Sequence, residues 1–566
     1  MSAWAEDQLL RAQGQAGFRK DHRTVDQVFV LSTLIANARK SKRKLYSCFV
    51  DFKKAFDTVP RQQLWQVLAS KGITGDILAC LQSMYDKDEA CVLTGEGLTD
   101  SFRCTTGVKQ GCPASPLLFG LYIDDIEALL KEARDDIDAP TLAQQLVAIL
   151  LFADDIALLS HSPEGLQRQL NILQGFCNRC GLTVNVAKTK VVVFERKQSQ
   201  SPVFLYNGQA IKQADFFKYL GKCSHATRGL SCAIEFLYNS ARKAMFGVLG
   251  RCHELHIYQP SLKLKLFDAL VRPIMTYACE TWAILGGKAA MRDIERVELR
   301  FLKMLLGVPE NTSSKLVYAE FGRLPLQYSW LQQCLKYLGR MDSLGNDRLC
   351  KAAFVEDGLK GLGWYQGLQD QLRRLNIRLP RFSQQIDCKA SSHELKDKAI
   401  LSGMSAALGN HLEEAYFSFK VHFRCEPYIE QARNRHLRRV IAMFRTGSHW
   451  LMVRKGRIQR LEYHQRLCPS CNCLDDEKHA IFQCRDYDQI RPKFADLFAS
   501  AHDLTTFLSN NSTHRVGLFL TACRDARGRG STPPIARYPA RYPDLDLSSD
   551  MQLGSQDTFD SDDDDV

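Results

Sequence analysis

The sequence predicts an α+β fold, with an antiparallel sheet in roughly the first 230 residues and helices after it. Three observations predict this. Apolar runs from Leu146 to Ala153 and from Ile156 to Leu159 flank Asp154 and Asp155, a pattern of two buried strands joined by a tight turn. Leu45 to Phe52 reads as another buried strand, interrupted by Asp51. From about residue 230 to about 460 the periodicity is almost wholly helical, with Trp282, Trp330, Trp364 and Trp450 as core anchors.

Each element has its own signal. Residues 1–45 read as helical through Val25, Val28, Phe29, Leu31, Leu34 and Ile35, followed by a basic run from Arg39 to Lys44. A helix follows Pro60, which suits a helix start. Short strands and turns alternate between Cys91 and Cys104. Gly107 to Ile126 reads as a Gly/Pro-rich turn and then a helix. Within it, Tyr122-Ile123-Asp124-Asp125 repeats the aromatic-x-Asp-Asp pattern but continues at helical spacing through Ile126, Leu129 and Leu130, so it reads as the polar side of a helix. Leu166 to Cys177 is an amphipathic helix, Leu182 to Phe194 a strand pair or a strand and turn, and Phe216 to Gly221 a short aromatic strand.

Composition narrows the class. The 566 residues are 45% hydrophobic, enough for three or four domains with real cores. Residues 541–566 hold nine Asp and one Arg, so the formal net charge of +12 leaves +20 on residues 1–540. A body that basic favours a polyanionic partner, nucleic acid first. The start, MSAWAEDQLL, is not a secretory signal, and no uncharged apolar run reaches spanning length. The expectation is an intracellular protein of the nucleus or cytoplasm, with its 20 cysteines reduced and no membrane partner.

The chemistry centres on acids. Two adjacent carboxylates at a hairpin tip repel each other and resist desolvation, so a hard divalent cation such as Mg²⁺ suits them. Asp51, 103 positions earlier, closes a separate strand. Nucleotide transfer needs carboxylates from separate strands to hold two Mg²⁺ ions, which Asp51, Asp154 and Asp155 satisfy if their strands are neighbours.

Asp51 with Phe56, Gln110-Gly111, Phe152-Ala153-Asp154-Asp155, the Gly181–Lys190 segment and Tyr219-Leu220-Gly221 occur in the order of the palm motifs of reverse transcriptases. The wording GFRKDHRTVDQ, DFKKAFDTVPR, GVKQGCPASPLLF and LLFADDIALLS resembles the non-LTR, LINE-type retrotransposon branch over roughly residues 14–225. The resemblance implies a palm with partial fingers, then a helical thumb and connector. It implies an RNA-directed DNA polymerase extending a DNA primer or target on an RNA template with dNTPs. Asp51 and Asp154 would bind the catalytic metals, and Asp155 would assist. Phe56 would gate against a 2′-hydroxyl, and Gln110 and Gly111 would lie against template base and nucleotide. Lys188 would protonate the pyrophosphate leaving group, and Tyr219, Leu220 and Gly221 would form the primer grip. The chain starts near the second fingers motif, Gly17 to Asp26, so the expectation is an N-terminally truncated member. Two other readings stand beside the enzyme: a catalytically silent nucleic-acid-binding remnant of such an element, and an intron maturase-like RNA-binding protein.

Cys468, Cys471, His479 and Cys484 have the number, type and spacing of ligands for one structural Zn²⁺, with Cys473 as a spare. The cluster resembles the C-terminal knuckle of LINE-type reverse transcriptases. Arg433, Arg435, Arg438, Arg439, Arg445, Arg454, Lys455, Arg457 and Arg460 accumulate before it, with His449-Trp450 and Tyr463-His464 as rings suited to stacking on bases. A Pro543-Asp544 pair has no lysine after it, which excludes a restriction-like nuclease there. The expected divisions are palm and partial fingers over 1–228, thumb 229–345, connector 346–455, zinc-knuckle region 456–495, a helical end 496–523 and a disordered acidic tail 524–566.

Overall fold

The computed structural model describes residues 2–8, 10–197, 202–379, 387–432, 434–499 and 501–528. Arg433 and the acidic segment 529–566 lie outside the described residues. The chain divides into two compact units, Met1–Glu298 with Leu324–Gly403, and Leu299–Arg323 with Met404–Val566. The expected thumb (229–345) and connector (346–455) each straddle that division, so neither is a compact body. Helical periodicity located the helices, but it carries no information on which helix packs with which.

The first unit is built on a five-stranded sheet. Its strands are β1 (Leu45–Val50), β2 (Ile149–Phe152), β3 (Asp155–Ser160), β4 (Lys190–Phe194) and β5 (Lys212–Gln213), in spatial order β5-β4-β1-β3-β2. The pairs β1–β3, β1–β4 and β2–β3 are antiparallel, as expected, whereas the edge pair β4–β5 is parallel. Only one strand forms within Leu182–Phe194; the earlier part of that segment contributes an isolated bridge between Val184 and Phe52.

Both faces of the sheet are covered, which explains why β1, β2 and β3 read as apolar runs rather than as alternating patterns. On one face Cys48, Val50, Ile156, Leu158, Val191 and Val193 join a core with Leu64 and Leu68, Leu118 and Leu121, and Leu166, Leu170 and Leu173. Those partners come from helices Arg61–Ser70, Ser115–Ile123 and Pro163–Cys180. On the other face Phe49, Leu150, Ala157, Leu159, Val192 and Phe194 meet Phe29, Leu31 and Leu34 of helix Thr24–Lys40. That face also receives residues far ahead in the chain: Leu335 and Leu338, Ala353 and Phe354, and Trp364 and Leu368. These belong to helices Leu326–Ser343, Leu349–Lys360 and Trp364–Arg373. Trp282, Trp330 and Trp364 are fully buried, while Trp450 is half-buried with its indole N–H on Tyr487 Oη at 3.1 Å.

The N-terminal segment is not one continuous helix. A short helix, Ser2–Asp7, is followed by an irregular run that pairs along β2, with Ala16 N donating to Leu151 O and Leu151 N to Gly14 O, both at 2.9 Å. The Asp124-Asp125 pair is helical, as expected, but Asp124 is not on a polar face. It is buried at the junction of helices Ser115–Ile123 and Asp125–Glu132, where it accepts from Arg11 Nε at 2.8 Å and Ala12 N at 3.2 Å. Asp125 pairs with Lys71 near the surface. No helix among the described residues is long and apolar enough to cross a membrane.

Removing one partner of a buried ion pair strands the other charge, at about 3–5 kcal/mol, whereas an exposed pair contributes about 1 kcal/mol or less. Asp124→Ala is therefore expected to lower the denaturation midpoint sharply, and Asp125→Ala only slightly, in parallel urea titrations.

Candidate active site and metal centre

The hairpin β2–β3 turns through Ala153 and Asp154, with Phe152 paired to Asp155. Strand β1 lies against β3 with Val50 opposite Ile156. Asp51 follows Val50 and Asp155 precedes Ile156, so both come just past the last paired rung, at the same end of this antiparallel ladder. Asp154 adjoins them at the turn. Three carboxylates separated in sequence thus share one end of the sheet.

Their electrostatics record the crowding. Partial desolvation, then Asp154 and then Asp51, push the Asp155 carboxyl up to about 6. Asp154 is raised by burial and by Asp51, against a hydrogen bond from its own backbone. Asp51 is raised by burial, against the opposing pull of Lys188 and a hydrogen bond from Asn185. A carboxyl with a raised folded-state pKa is neutral and free of this penalty at acid pH, and it costs the fold stability as pH rises through that pKa. Above about pH 6 the ionised cluster is therefore a destabilising element in the cation-free chain, and a bound cation would offset it.

The loop from Asn185 to Lys190 closes over Asp51. Asn185 N donates to Asp51 O at 2.7 Å, Asp51 N donates to Thr189 Oγ1 at 3.2 Å, and Lys188 N donates to Asn185 Oδ1 at 3.3 Å. Lys188 is exposed, and its charge acts on Asp51. Phe56 stacks on Phe119 with ring centroids 4.4 Å apart, so it is also a core aromatic. Gln110 donates to Asp57 Oδ1 at 2.9 Å, and Gly111 sits at φ 78° with open space around its α-carbon.

A second hairpin pairs β6 (Phe216–Tyr219) with β7 (Lys222–His225). Its turn residues Leu220 and Gly221 have φ of 44° and 81°, the pattern of a type I′ hairpin. Tyr277 Oη donates to Leu220 O at 2.5 Å and covers Gly221 so closely that a Cβ there would meet its ring. Tyr219 is buried, its ring 5.5 Å from Phe49, and the Asp155 carboxylate raises its phenol pKa further.

Sequence reasoning missed Gln15. It is fully buried, and its Oε1 accepts from Ala153 N at 3.0 Å and from Gly17 N at 2.8 Å. Ala153 has φ 56°, a left-handed conformation that costs a non-glycine residue free energy and persists only where the surroundings enforce it. Gln27 adds to that enforcement by donating to Gly14 O at 2.6 Å and Leu151 O at 3.2 Å. Gly17 packs so close that a Cβ would collide with Ala153 N. The available signal was a glutamine between apolar and small residues in GQAGF, a polar group in a segment destined for burial.

In the second unit, ligand atoms of Cys468, Cys471, His479 and Cys484 all lie within 4.8 Å of one another. The spare, Cys473, is exposed, with its Sγ 3.2 Å from His479 Nδ1. His479 sits on helix Glu477–Phe482, whose cap Asp476 accepts from His479 N at 2.7 Å. Three cysteine sulfurs and one imidazole are a soft nitrogen and sulfur donor set suited to Zn²⁺. Arg527, in the stretch assigned to the tail, belongs instead to helix Thr513–Gly528. Its Nη2 donates to Cys468 Sγ at 2.6 Å and Cys484 Sγ at 3.2 Å, and its Nη1 donates to both oxygens of Asp475. A guanidinium so placed holds two of the candidate ligand sulfurs in position.

The arginine series divides. Arg438, Arg445 and Arg454 are buried; Arg445 pairs with Glu320 at 3.0 Å, Arg438 donates to Ala432 O at 3.3 Å, and Arg454 donates to Ser448 O. His449 is buried against Glu477 at 2.7 Å and Tyr463 stacks on His411 at 4.1 Å, so neither is an open ring face. Arg435, Arg457, Arg460 and His464 remain exposed. Helical spacing alone did not separate these two groups.

A family model described as reverse transcriptase (RNA-dependent DNA polymerase) matches residues 8–222. The chain is 24% identical over 343 residues to the RNA-directed DNA polymerase from mobile element jockey of Drosophila funebris, covering 59% of this chain and 36% of that protein. It is 30% identical over 202 residues to the Pol polyprotein of the type-1 retrotransposable element R2 of Nasonia vitripennis, covering 34% and 19%. Among solved structures, apo telomerase from Candida tropicalis matches at 12% identity and TM-score 0.30 over 70% of this chain and 59% of that one. The chain thus spans about a third or less of the first curated relatives.

Replacing Gln15 by Met keeps the volume and removes both acceptor contacts to the turn, at about 1–3 kcal/mol for the unsatisfied N–H groups. The expected outcome is a lower thermal midpoint and faster amide exchange at Ala153, whereas Gln15→Glu, which keeps an acceptor, retains slow exchange there.

Proposed function

This chain carries a reverse transcriptase domain of the non-LTR retrotransposon type, and from that premise we propose that it is an RNA-directed DNA polymerase whose catalytic carboxylates are Asp51, Asp154 and Asp155. The observation that supports the proposal is the β1–β3 register, which brings Asp51 and Asp155 to the same end of one sheet, next to the turn that carries Asp154. The three groups are hard oxygen donors whose carboxyl pKa values are raised by burial, with repulsion from neighbouring carboxylates adding at Asp154 and Asp155, which fits a pair of Mg²⁺ ions. Bound there, the metals would activate the primer 3′-hydroxyl and neutralise the triphosphate.

The protein's own groups have the remaining tasks. Gln15 and Gln27 hold the Ala153 turn, so Asp154 is presented in one orientation. Lys188 lies within electrostatic reach of Asp51 and is the candidate to protonate the leaving pyrophosphate. Phe56, braced by Phe119, is the candidate sugar gate. Gln110 and Gly111 are candidates for the template and nucleotide side, and the Gly111 α-carbon leaves space for close approach. Tyr219, Leu220 and Gly221, pinned by Tyr277, are the candidate primer grip.

The substrates proposed are an RNA template, a DNA primer or target and dNTPs. One Zn²⁺ on Cys468, Cys471, His479 and Cys484 would be structural, closing a segment that lacks a core of its own. The placement proposed is intracellular, in nucleus or cytoplasm.

Primer extension on an RNA template tests the reading. Mg²⁺-dependent incorporation is expected, with Asp154→Ala reducing it by roughly 10³-fold or more, the equivalent of several kcal/mol of transition-state stabilisation. RNA binding without incorporation in the wild type would instead support a silent remnant. Metal analysis of protein purified under reducing conditions is expected to give about one Zn²⁺ per chain, lost in Cys484→Ser.

A further inference from the structure

We infer that Cys223 and Cys232 form a reversible redox pair that clamps the Tyr219–Gly221 hairpin to the helix that follows it. Cys223 lies on β7, two residues past Gly221, and Cys232 lies in the first turn of helix Ser231–Glu254. Their sulfurs are 2.8 Å apart, inside van der Waals contact and close to the approximately 2.05 Å of a disulfide bond. Strand and helix are already in bonding position, so closing the bridge requires little backbone movement.

The two thiols have different tasks. Cys223 is buried and Cys232 is half-exposed, so an oxidant meets Cys232 first. A hydrogen bond from Cys223 lowers the Cys232 pKa, with Arg228 adding in the same direction. Placement in a helix's first turn also favours a thiolate. Glu235 opposes it, but Arg228 pairs with that carboxylate at 2.8 Å. Another close pair in this unit, Cys279 and Cys334, is buried, and both thiols are pushed well up by desolvation, as expected of inert core cysteines.

With a peroxide as oxidant the chemistry balances. The Cys232 thiolate attacks one peroxide oxygen, the O–O bond breaks, and the departing hydroxide is protonated to water, leaving a sulfenic acid. The Cys223 sulfur then attacks the sulfenic sulfur. The S–O bond breaks, and the leaving hydroxide takes the Cys223 proton as a second water. Two thiols lose two electrons, and a dithiol reductant restores them.

The bond would cross-link the hairpin to the helix beside a small gap lined by Gly221, Cys223, Leu237, Tyr277 and Trp282. Its functional consequence rests on the polymerase reading: a clamped hairpin restricts the repeated adjustment that long extension needs, while a single addition survives.

The test titrates the full chain with hydrogen peroxide, blocks free thiols, and maps peptides by mass spectrometry without reduction, in parallel with primer extension. In the wild type a linked Cys223–Cys232 peptide is expected, with loss of long products, retention of single-nucleotide addition and recovery on adding dithiothreitol. Cys232→Ser is expected to keep its long products at the same peroxide dose. Absence of the linked peptide overturns the proposal. So does a linked peptide with unchanged product length, or equal loss in Cys232→Ser, which would place the effect at another of the chain's cysteines. Peptide mapping does not depend on polymerase activity, so failure of the polymerase reading is distinguishable from failure of the redox pair.

Discussion

The register between β1 and β3 is the constraint on which the candidate active site depends. Two unit charges about 5 Å apart repel by roughly 3 kcal/mol at an effective dielectric of 20, so three ionised carboxylates do not gather unaided. They are held by the strands behind them. Every residue of β1 is buried, as is every residue of β3 after Asp155. A one-residue slip would turn each of those side chains to the opposite face. Apolar burial therefore fixes the ladder, and the ladder fixes the carboxylates. Charge repulsion is stored at the strand ends, where a cation would relieve it.

Much of this was legible in the sequence, for identifiable reasons. Asp51, Asp154 and Asp155 stood out because an acid at the edge of an apolar run is costly without a partner. The rejection of Asp124-Asp125 as a strand turn held because apolar spacing persisted through it. Its burial did not show, since the partner Arg11 lies 113 positions away and only tertiary structure joins them. Gln15 escaped for the same reason: its side-chain oxygen accepts from two backbone N–H groups, and backbone donors leave no pattern in side-chain chemistry. The parallel edge strand β5 is two residues long, too short for any periodic signal.

The second unit teaches a different lesson about charge. A run rich in arginine reads as a surface for polyanions, yet Arg445 is spent on Glu320 and Glu426 within the core. Arg527 is likewise held by Asp475, Asp486 and two cysteine sulfurs. Formal net charge counts all of them equally. Only exposed cations such as Arg457 and Arg460 on the segment before the cysteine cluster are open to a polyanion.

The covering of the sheet's second face carries a consequence for biosynthesis. Phe49, Leu159 and Phe194 pack with Phe354, Trp364 and Leu368, so the hydrophobic layer behind the catalytic strands is incomplete until those helices leave the ribosome. Translation supplies them at only about 5–20 residues per second. For that interval the nascent chain leaves part of one side of its most apolar strands uncovered, a state prone to aggregation and suited to chaperone holding. A ribosome that stopped just after residue 228 would release every candidate catalytic side chain named above on a sheet with one face covered only in part, by helix Thr24–Lys40.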